Sequence, residues 1–200
     1  MTRFRKVKSE IRIIGVDDGA FTPHSAEDVR VVGVVFRGGS WFDGILWTTV
    51  KVDGLDATEK ISNMITNSPH YGQLRVIMLD GITFAGFNVV DIKKLHQSTA
   101  RPVLAITKNK PCLSDVKSAI QKIPNSKERL ASLKRAGEMM EIETRRQTTI
   151  FVHRAGTSKE DARKIISISS TRSSVPEPLR VAHMIASSLS KIEQQRNKKI

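Results

Sequence analysis

Acidic residues follow three apolar segments of this chain, at the positions where strands would end: Asp17 and Asp18 after IIGV, Asp53 after TTVKV, and Asp80 after VIML. The ends of strands at one edge of an α/β sheet converge on a rigid support, so carboxylates there can meet. Two or three such carboxylates make an all-oxygen site suited to Mg²⁺ or Mn²⁺. One Asp-Gly pair is ordinary turn chemistry, so the metal hypothesis depends on all three strand ends together.

Two further residues could act beside these carboxylates. Lys108 directly follows the apolar segment PVLAIT, at the edge where Asp80 follows its own strand, and could contact a phosphate as a point charge. The alternative, a solvated loop lysine, is favoured by the local sequence alone. His183 lies in the last predicted helix near Arg180, where its spacing favours a histidine at the edge of the core over a catalytic one.

The pattern of elements is what would bring these residues together. Continuous β-branched segments predict strands at 11–17, 29–36 and 42–52, with a turn at Gly38-Gly39-Ser40 joining the second and third as a hairpin. Strands and helices then alternate, which is typical of parallel strands with crossover helices. The predicted strands are 74–79, 102–106 and 149–153; the predicted helices start at Asp56, run through 89–95 and 113–123, and start at Ser158 and at Pro176-Glu177-Pro178. The charged stretch 125–147 is predicted to be an exposed helix or helical pair.

This order predicts an α/β fold of the ribonuclease-H-like kind: a mixed sheet, antiparallel strands first and parallel β-α units after them, with helices on both faces. We expect one domain over residues 10–190, a basic N-terminal extension at 1–9 and a basic C-terminal tail at 191–200. No apolar run approaches the roughly 20 residues that cross a bilayer, and the single cysteine, Cys112, cannot form an internal disulfide. We therefore expect a cytoplasmic protein with no membrane partner.

The chain carries a formal net charge of +13 and has a sequence pI near 10.2. Both ends and the body between them are basic. A basic body favours a polyanionic partner, because each phosphate that it neutralises releases counterions. A surface kept soluble by its charge is the alternative interpretation.

Four segments carry a resemblance to a known family: GVDDG at 15–19, VIMLDGITFAGFNVVDI at 76–92, RPVLAITK at 101–108 and VPEPLRVAH at 175–183. With these segments the chain resembles endonuclease V, a metal-dependent DNA and RNA repair nuclease. It is more similar still to the sister family called endonuclease dU. The resemblance covers most of residues 10–190, and its most specific part is the helix that opens with Pro-Glu-Pro-Leu-Arg and continues to Ala-His.

The resemblance implies roles for individual residues. Asp17 and Asp80 match the two metal-binding aspartates of endonuclease V, Lys108 matches its active-site lysine, and His183 matches the histidine beside the metal. A third metal-binding carboxylate is a glutamate in that family; its equivalent here is Asp53, with Asp56 as the alternative. The implied cofactor is Mg²⁺ or Mn²⁺, and the implied reaction is attack of water on a phosphodiester that leaves a 5′-phosphate.

The sequence also departs from endonuclease V where that family reads bases. In place of a proline-containing wedge it has Trp41, Phe42 and Trp47, which could stack on bases or equally pack in the core. The loop after Asp80, GITFAGF, lacks the histidines of the family loop. We therefore predict that the metal site is kept while the pocket for the base differs. The candidate nucleic-acid contacts are Arg37, Trp41, Lys108 and Arg180.

Three functions remain open from the sequence. The leading hypothesis is a metal-dependent endonuclease acting on damaged or deaminated nucleic acid, with uracil- or hypoxanthine-containing DNA as candidates and DNA favoured over RNA. The alternative is a non-catalytic nucleic-acid-binding protein of the same fold. A third possibility is a scaffold protein that uses the segment 125–147 for contacts. The sequence does not indicate the oligomeric state.

Overall fold

The computed structural model describes residues 6–25 and 27–197. Parts of the two predicted basic ends, residues 1–5 and 198–200, therefore lie outside the described residues. The elements follow one another as β1 (Arg12–Asp18), β2 (Asp28–Arg37), β3 (Trp41–Lys51), α1 (Ala57–Thr66), β4 (Val76–Asp80), β5 (Thr83–Phe84), β6 (Asn88–Val89), α2 (Ile92–Thr99), β7 (Val103–Thr107), α3 (Leu113–Gln121), α4 (Ser126–Arg135), β8 (Met140–Glu143), β9 (Thr149–Ala155), α5 (Lys159–Ser169) and α6 (Glu177–Asn197).

Seven strands form one mixed sheet in the order β3-β2-β1-β4-β7-β9-β8, and β5 and β6 form a separate small hairpin. The first three strands are antiparallel neighbours, joined between β2 and β3 by the turn predicted at residues 38–40. The strands β1, β4 and β7 are parallel neighbours. This confirms the predicted ribonuclease-H-like order. The last two strands, β9 and β8, return to antiparallel pairing at the far edge.

Helices cover both faces of the sheet, as predicted. On one face, Ile61 and Ile65 of α1 and Leu95 of α2 pack against alternate residues of the first strands, including Ile14 and Val31. On the other face lie α5 and α6, with separate clusters against the two halves of the sheet. Strand residues point to opposite faces in turn, and the central strands are buried on both faces. Their sequences are therefore continuously apolar rather than alternating.

The charged stretch 125–147 differs from the prediction of one or two exposed helices. Only Ser126–Arg135 is helical, and Met140–Glu143 forms the edge strand β8, in which buried Met140 and Ile142 alternate with exposed glutamates. A strand of four residues is too short to show a period of two against the surrounding charge. Arg129 of α4 is also buried, so this helix is partly internal.

Two helix boundaries also differ from those predicted from the sequence. The helix expected to run through residues 89–95 begins at Ile92, where the Asp91 side chain accepts hydrogen bonds from the first-turn amides of Lys93 and Lys94; Val89 belongs to β6 instead. The last helix continues to Asn197, so residues 191–197 extend α6. None of the helices in the described part of the chain combines the length and hydropathy needed to cross a bilayer.

Candidate metal centre at the carboxyl edge of the sheet

The central pair of parallel strands places two aspartates next to each other. In the register of β1 against β4, Val16 lies opposite Leu79. The residues that follow, Asp17 and Asp80, therefore emerge side by side where the two strands end. The local sequence enforces this arrangement, because the segments before both aspartates are fully buried and hold each strand in place. A slip of one residue would turn the buried side chains to the opposite face of the sheet.

Helix α6 brings His183 to the same place by lying unusually close to β1. Gly15 allows the approach: a Cβ atom built there would lie 2.5 Å from the Leu179 nitrogen and closer still to the carbonyl carbon of Pro178. About one and a half turns later, His183 reaches Asp17, and its Nδ1 lies 2.8 Å from Asp17 Oδ2. When Asp17 is ionised and the His183 ring is neutral, the ring proton lies on Nδ1, and Nδ1–H donates a hydrogen bond to Asp17 Oδ2. The lone pair of the imidazole is then on Nε2.

Asp17, Asp80 and His183 form a group that could hold a metal ion. One potential ligand atom from each residue lies within 4.8 Å of the others. Asp17 is only 4% exposed, whereas the side chain of His183 is 64% exposed and Asp80 is also open to solvent. The group is thus a buried carboxylate with two accessible side chains above it, so an ion held there could also contact a substrate.

The electrostatics of the group favour a bound cation. Burial, followed by the negative charges of Asp80 and Asp18, raises the pKa of Asp17 to about 7, although hydrogen bonds from His183 and the Asp18 amide oppose this. Desolvation also raises the pKa of Asp80, against the positive charges of His183 and Lys108. Two carboxylates held together in this way are stabilised either by a proton or by a cation. Their oxygens are the ligands that Mg²⁺ and Mn²⁺ prefer, so the residues present fit such an ion.

Lys108 lies one residue beyond the end of β7, next to the strand that carries Asp80. Its charge is near enough to lower the pKa of Asp80, and its side chain is exposed. The structure therefore places Lys108 at the same edge as the aspartates. Its ammonium group is free to approach an anion in front of them.

Asp53 and Asp56 do not join the group among the described residues. The Asp53 carboxylate accepts a hydrogen bond from the Phe87 amide at 2.8 Å and contacts His24 Nδ1 at 3.0 Å. The Asp56 carboxylate accepts a 2.6 Å hydrogen bond from the Asn88 side chain. Both carboxylates thus anchor the β5–β6 hairpin. Asp53 and Asp56 follow β3 along the chain, and they lie apart from Asp17 because β2 separates β3 from β1 in the sheet.

Two residues to which the sequence analysis assigned no role also hold this hairpin. Asp18 points to the other face of β1 from Asp17, and its Oδ2 accepts a hydrogen bond from the Ala85 amide at 2.6 Å. The buried guanidinium of Arg129 donates to backbone carbonyls of Asp53, Gly54 and Phe87. The sequence marks Asp18 as the second acid at the end of the first predicted strand, whereas no local pattern marks Arg129. Together they fix the loop that borders the aspartates.

The other predicted nucleic-acid contacts lie away from the group or are already paired. Arg37 and Trp41 lie opposite each other, and Arg37 lies opposite Arg12 at the start of β1, so they occupy the far end of the sheet from Asp17. Arg180 donates two hydrogen bonds to Glu177 Oε2 in the first turn of α6. The structure therefore brings together Asp17, Asp80, His183 and Lys108 but neither Arg37 nor Trp41.

The raised pKa of Asp17 predicts a specific dependence of stability on pH in the absence of metal. Below about pH 4 the Asp17 carboxyl is protonated in both the folded and the unfolded protein. Between there and pH 7 the unfolded chain loses the proton while the folded chain keeps it, so the contribution of Asp17 to stability falls as pH rises, by at most about 1.4 kcal/mol per pH unit. In EDTA, we expect Asp17→Asn to gain in melting temperature relative to the wild type between pH 5 and 7.5.

Asp43→Asn is the matched control for this experiment. Desolvation raises the pKa of Asp43, but the hydrogen bonds from Arg12 and Arg37 outweigh this and hold the pKa below its usual value. A group with a lowered pKa loses its contribution only as pH falls through that value, so the difference between Asp43→Asn and the wild type should stay level from pH 5 to 7.5. Equal slopes for both variants would contradict the assignment of a raised pKa to Asp17.

The mixed sheet with helices on both faces is a ribonuclease-H-like fold, with the acidic group at the carboxyl edge of its central strands. A family model described as endonuclease dU matches residues 9–190. The chain belongs to the endonuclease dU family. It is 52% identical over 185 residues to a UPF0215 protein from Methanothermobacter thermautotrophicus, a match that covers 92% of this chain and 90% of that protein. These findings confirm the resemblance to this family that the sequence indicated.

Solved structures agree with the fold. A protein of unknown function from Archaeoglobus fulgidus is 34% identical, with a TM-score of 0.81 over 90% of this chain and 98% of that one. Endonuclease V from Ciona intestinalis, in complex with a 23mer DNA containing an inosine followed by a ribo-adenosine, is 16% identical, with a TM-score of 0.57 over 94% of this chain and 86% of that one. The second likeness shows the fold alone.

Proposed function

We propose that the chain is a divalent-metal-dependent endonuclease that cleaves a phosphodiester in damaged or deaminated nucleic acid. The observation that carries the proposal is the convergence of Asp17, Asp80 and His183 at one edge of the sheet. Uracil- and hypoxanthine-containing DNA are the candidate substrates. The family name and the DNA bound by the similarly folded endonuclease V support nucleic acid as the partner, with DNA favoured over RNA.

Asp17 and Asp80 would hold the metal, Mg²⁺ or Mn²⁺. A divalent ion bound there supplies positive charge opposite the phosphate and makes a nearby water more acidic. The two carboxylates contribute the negative charge that retains the ion. Asp17 has a second task, because its Oδ2 also orients the imidazole of His183. That hydrogen bond resembles the contacts by which carboxylates commonly fix a histidine beside a metal.

His183 is suited to move a proton at its exposed nitrogen. With Nδ1 bonded to Asp17, the free Nε2 of the neutral ring can accept a proton from an attacking water, or the protonated ring can give one to the leaving oxygen. In the proposed hydrolysis the water oxygen bonds to phosphorus and the bond from phosphorus to the 3′-oxygen breaks. The products are a 3′-hydroxyl on one fragment and a 5′-phosphate on the other. The imidazole of His183 is 64% exposed, so a nucleic-acid strand bound over the carboxyl edge of the sheet could reach it without a change in the fold.

Lys108 and the basic body of the protein would bind the nucleic acid. The Lys108 ammonium lies beside Asp80 at the same edge and would contact a phosphate next to the one being cleaved. The net charge of +13 attracts the polyanion over longer distances. Both contributions weaken with salt, because binding releases counterions from the nucleic acid.

The proposal predicts metal-dependent nicking of a lesion-bearing duplex. We expect cleavage of a labelled duplex containing a single deoxyuridine or deoxyinosine in Mg²⁺ or Mn²⁺, and none in EDTA or on the undamaged duplex, as judged by denaturing gels. A 5′-phosphate on the downstream fragment should be removable by phosphatase.

Two outcomes would contradict this proposal. Absence of cleavage with either ion on any DNA or RNA duplex would remove the nuclease activity. If salt-dependent binding persisted at the same time and was unaffected by Asp80→Asn, the alternative of a non-catalytic nucleic-acid-binding protein would stand instead.

A further inference from the structure

The edge strand β3 exposes an unusual amount of apolar surface. Four of the eight exposed large hydrophobic side chains in the described residues lie within seven consecutive positions of it: Trp41 (59% exposed), Phe42 (52%), Ile45 (48%) and Trp47 (61%). β3 is eleven residues long and pairs on one side only, with β2. Natural edge strands of this length usually carry charges or proline that prevent pairing with another chain. In β3 the longest uncharged stretch runs from Gly44 to Val50 and contains no proline.

The apolar surface continues from the strand onto α6. Phe42, Ile45 and Trp47 lie opposite Phe36, Val34 and Val32 in the register of β2 and β3. Those three β2 residues pack under α6 together with Ala182 and Ala186, and the half-buried Ile185 and Leu189 pack against the same cluster.

Ile192 extends this side of α6 by one further helical step, and it is exposed. The name β3–α6 surface is used for Phe42, Ile45, Trp47, Ile185, Leu189 and Ile192. It is a strip of strand and helix that no other described element covers.

Three arginines beside the strand part of this surface are already paired with carboxylates within the chain. Arg12 and Arg37 each donate to the Asp43 carboxylate at 3.0 Å. Arg30 stacks over the Trp47 ring at 4.7 Å and donates to Glu193 of α6 at 2.5 Å. A nucleic acid would require free cations next to the aromatic rings, and these arginines are occupied. The chemistry of the surface therefore fits an apolar protein partner better than a phosphate backbone.

We propose that a second copy of this chain binds the β3–α6 surface, with the two β3 strands pairing antiparallel across a twofold axis. Such an interface is self-complementary, so each strand supplies the edge that the other lacks. An aromatic side chain buries about 150–250 Å² when it is fully covered. The exposed parts of Phe42, Trp47, Ile45 and Ile192, together with Trp41 at the start of the strand and the strand backbone, approach the roughly 800 Å² per partner of a specific interface.

The inference does not depend on the proposed nuclease activity, because the surface and the acidic group use different residues. The exposed apolar residues of β3 extend from the row of Asp17, where Trp47 lies opposite Val32 and Val32 opposite Asp17, toward the far end of the sheet. α6 separates the two: His183 lies on its flank toward Asp17, and Ile185 and Leu189 pack over β2. A dimer formed this way would leave both acidic groups accessible.

The test is the mass of the full chain in solution. Sedimentation or light scattering should give a mass near twice 22.3 kDa at about 50 μM protein, since interfaces of this size bind in the micromolar range or tighter. Each copy is strongly positive, so salt screens the repulsion and should strengthen the dimer, whereas salt weakens nucleic-acid binding. Ile45→Lys should raise the dissociation constant at least about tenfold.

Leu113→Lys is the matched control, because Leu113 is a similarly exposed apolar residue on α3, and it should leave the mass unchanged. Tryptophan emission gives a second measurement, since the only two tryptophans of the chain, Trp41 and Trp47, both lie on β3. Emission should shift to the blue as the dimer forms, and far-ultraviolet circular dichroism should show that Ile45→Lys is folded. A monomer at every concentration and salt would overturn the proposal. It would also be overturned if Trp47→Ser weakened DNA binding without changing the mass, which would assign the surface to nucleic acid.

Discussion

Replacing Asp80 by asparagine is expected to lower the rate of metal-dependent cleavage by about a thousandfold or more. The amide side chain would keep the size and one oxygen but lose the charge that binds a cation, and Asp17 alone would then face the ion. The measurement is the single-turnover rate on a lesion-bearing duplex at saturating Mn²⁺. Binding of the same duplex in EDTA should be unchanged or slightly tighter, because a carboxylate that repels phosphate has been removed.

Asp53→Asn and Asp56→Asn are the matched controls for Asp80→Asn. In each, the amide oxygen can still accept the hydrogen bond now made by the carboxylate, from the Phe87 amide or from the Asn88 side chain. Only the charge is lost, so cleavage should stay within a few-fold of the wild type. A loss as large as that of Asp80→Asn at either position would identify a third metal-binding carboxylate there. A rate for Asp80→Asn close to that of the wild type would remove the proposed metal centre.

The sequence predicted the strands and their acidic ends well, because both depend on local chemistry. Continuous β-branched segments mark strands buried on both faces, and aspartates lie at or just beyond the ends of β1, β3 and β4. β1, β3 and β4 do end at the same edge of the sheet, as β1 and β3 both run antiparallel to β2 and β1 runs parallel to β4. Their lateral order could not be predicted from the sequence. That order separates Asp53 from Asp17 and leaves Asp80 beside it.

Other differences arise from contacts that are distant in the sequence. His183 resembled a histidine at the edge of the core by its spacing, and its position over Asp17 depends on a helix lying on a strand 166 residues earlier. Arg129 is buried where four backbone carbonyls from separate loops accept hydrogen bonds from its guanidinium, which a charged helical segment does not reveal. The aromatic residues of β3 could have packed in the core or stacked on bases, and the structure leaves them exposed on an edge strand.

The second large effect is expected from Gly15→Ala, which adds one carbon atom at the contact between β1 and α6. A Cβ atom at this position would lie 2.5 Å from the Leu179 nitrogen and would overlap the Pro178 carbonyl carbon. Both are backbone atoms, so no side chain can rotate away and α6 must shift. We expect a loss of about 3 kcal/mol or more in the free energy of unfolding, which corresponds to a fall of about 6–12 °C in melting temperature for a chain of this size.

The same substitution should also separate His183 from Asp17, because α6 carries the histidine about one and a half turns beyond the contact. At a temperature where Gly15→Ala remains folded, cleavage should therefore fall by far more than the folded fraction does, while DNA binding by the basic surface persists. Gly72→Ala is the control: Gly72 is exposed and a Cβ there meets no atom within 4 Å, so stability and cleavage should hardly change. If Gly15→Ala matched this control in melting temperature, α6 would not lie on β1 as described, and the placement of His183 at the acidic group would be wrong.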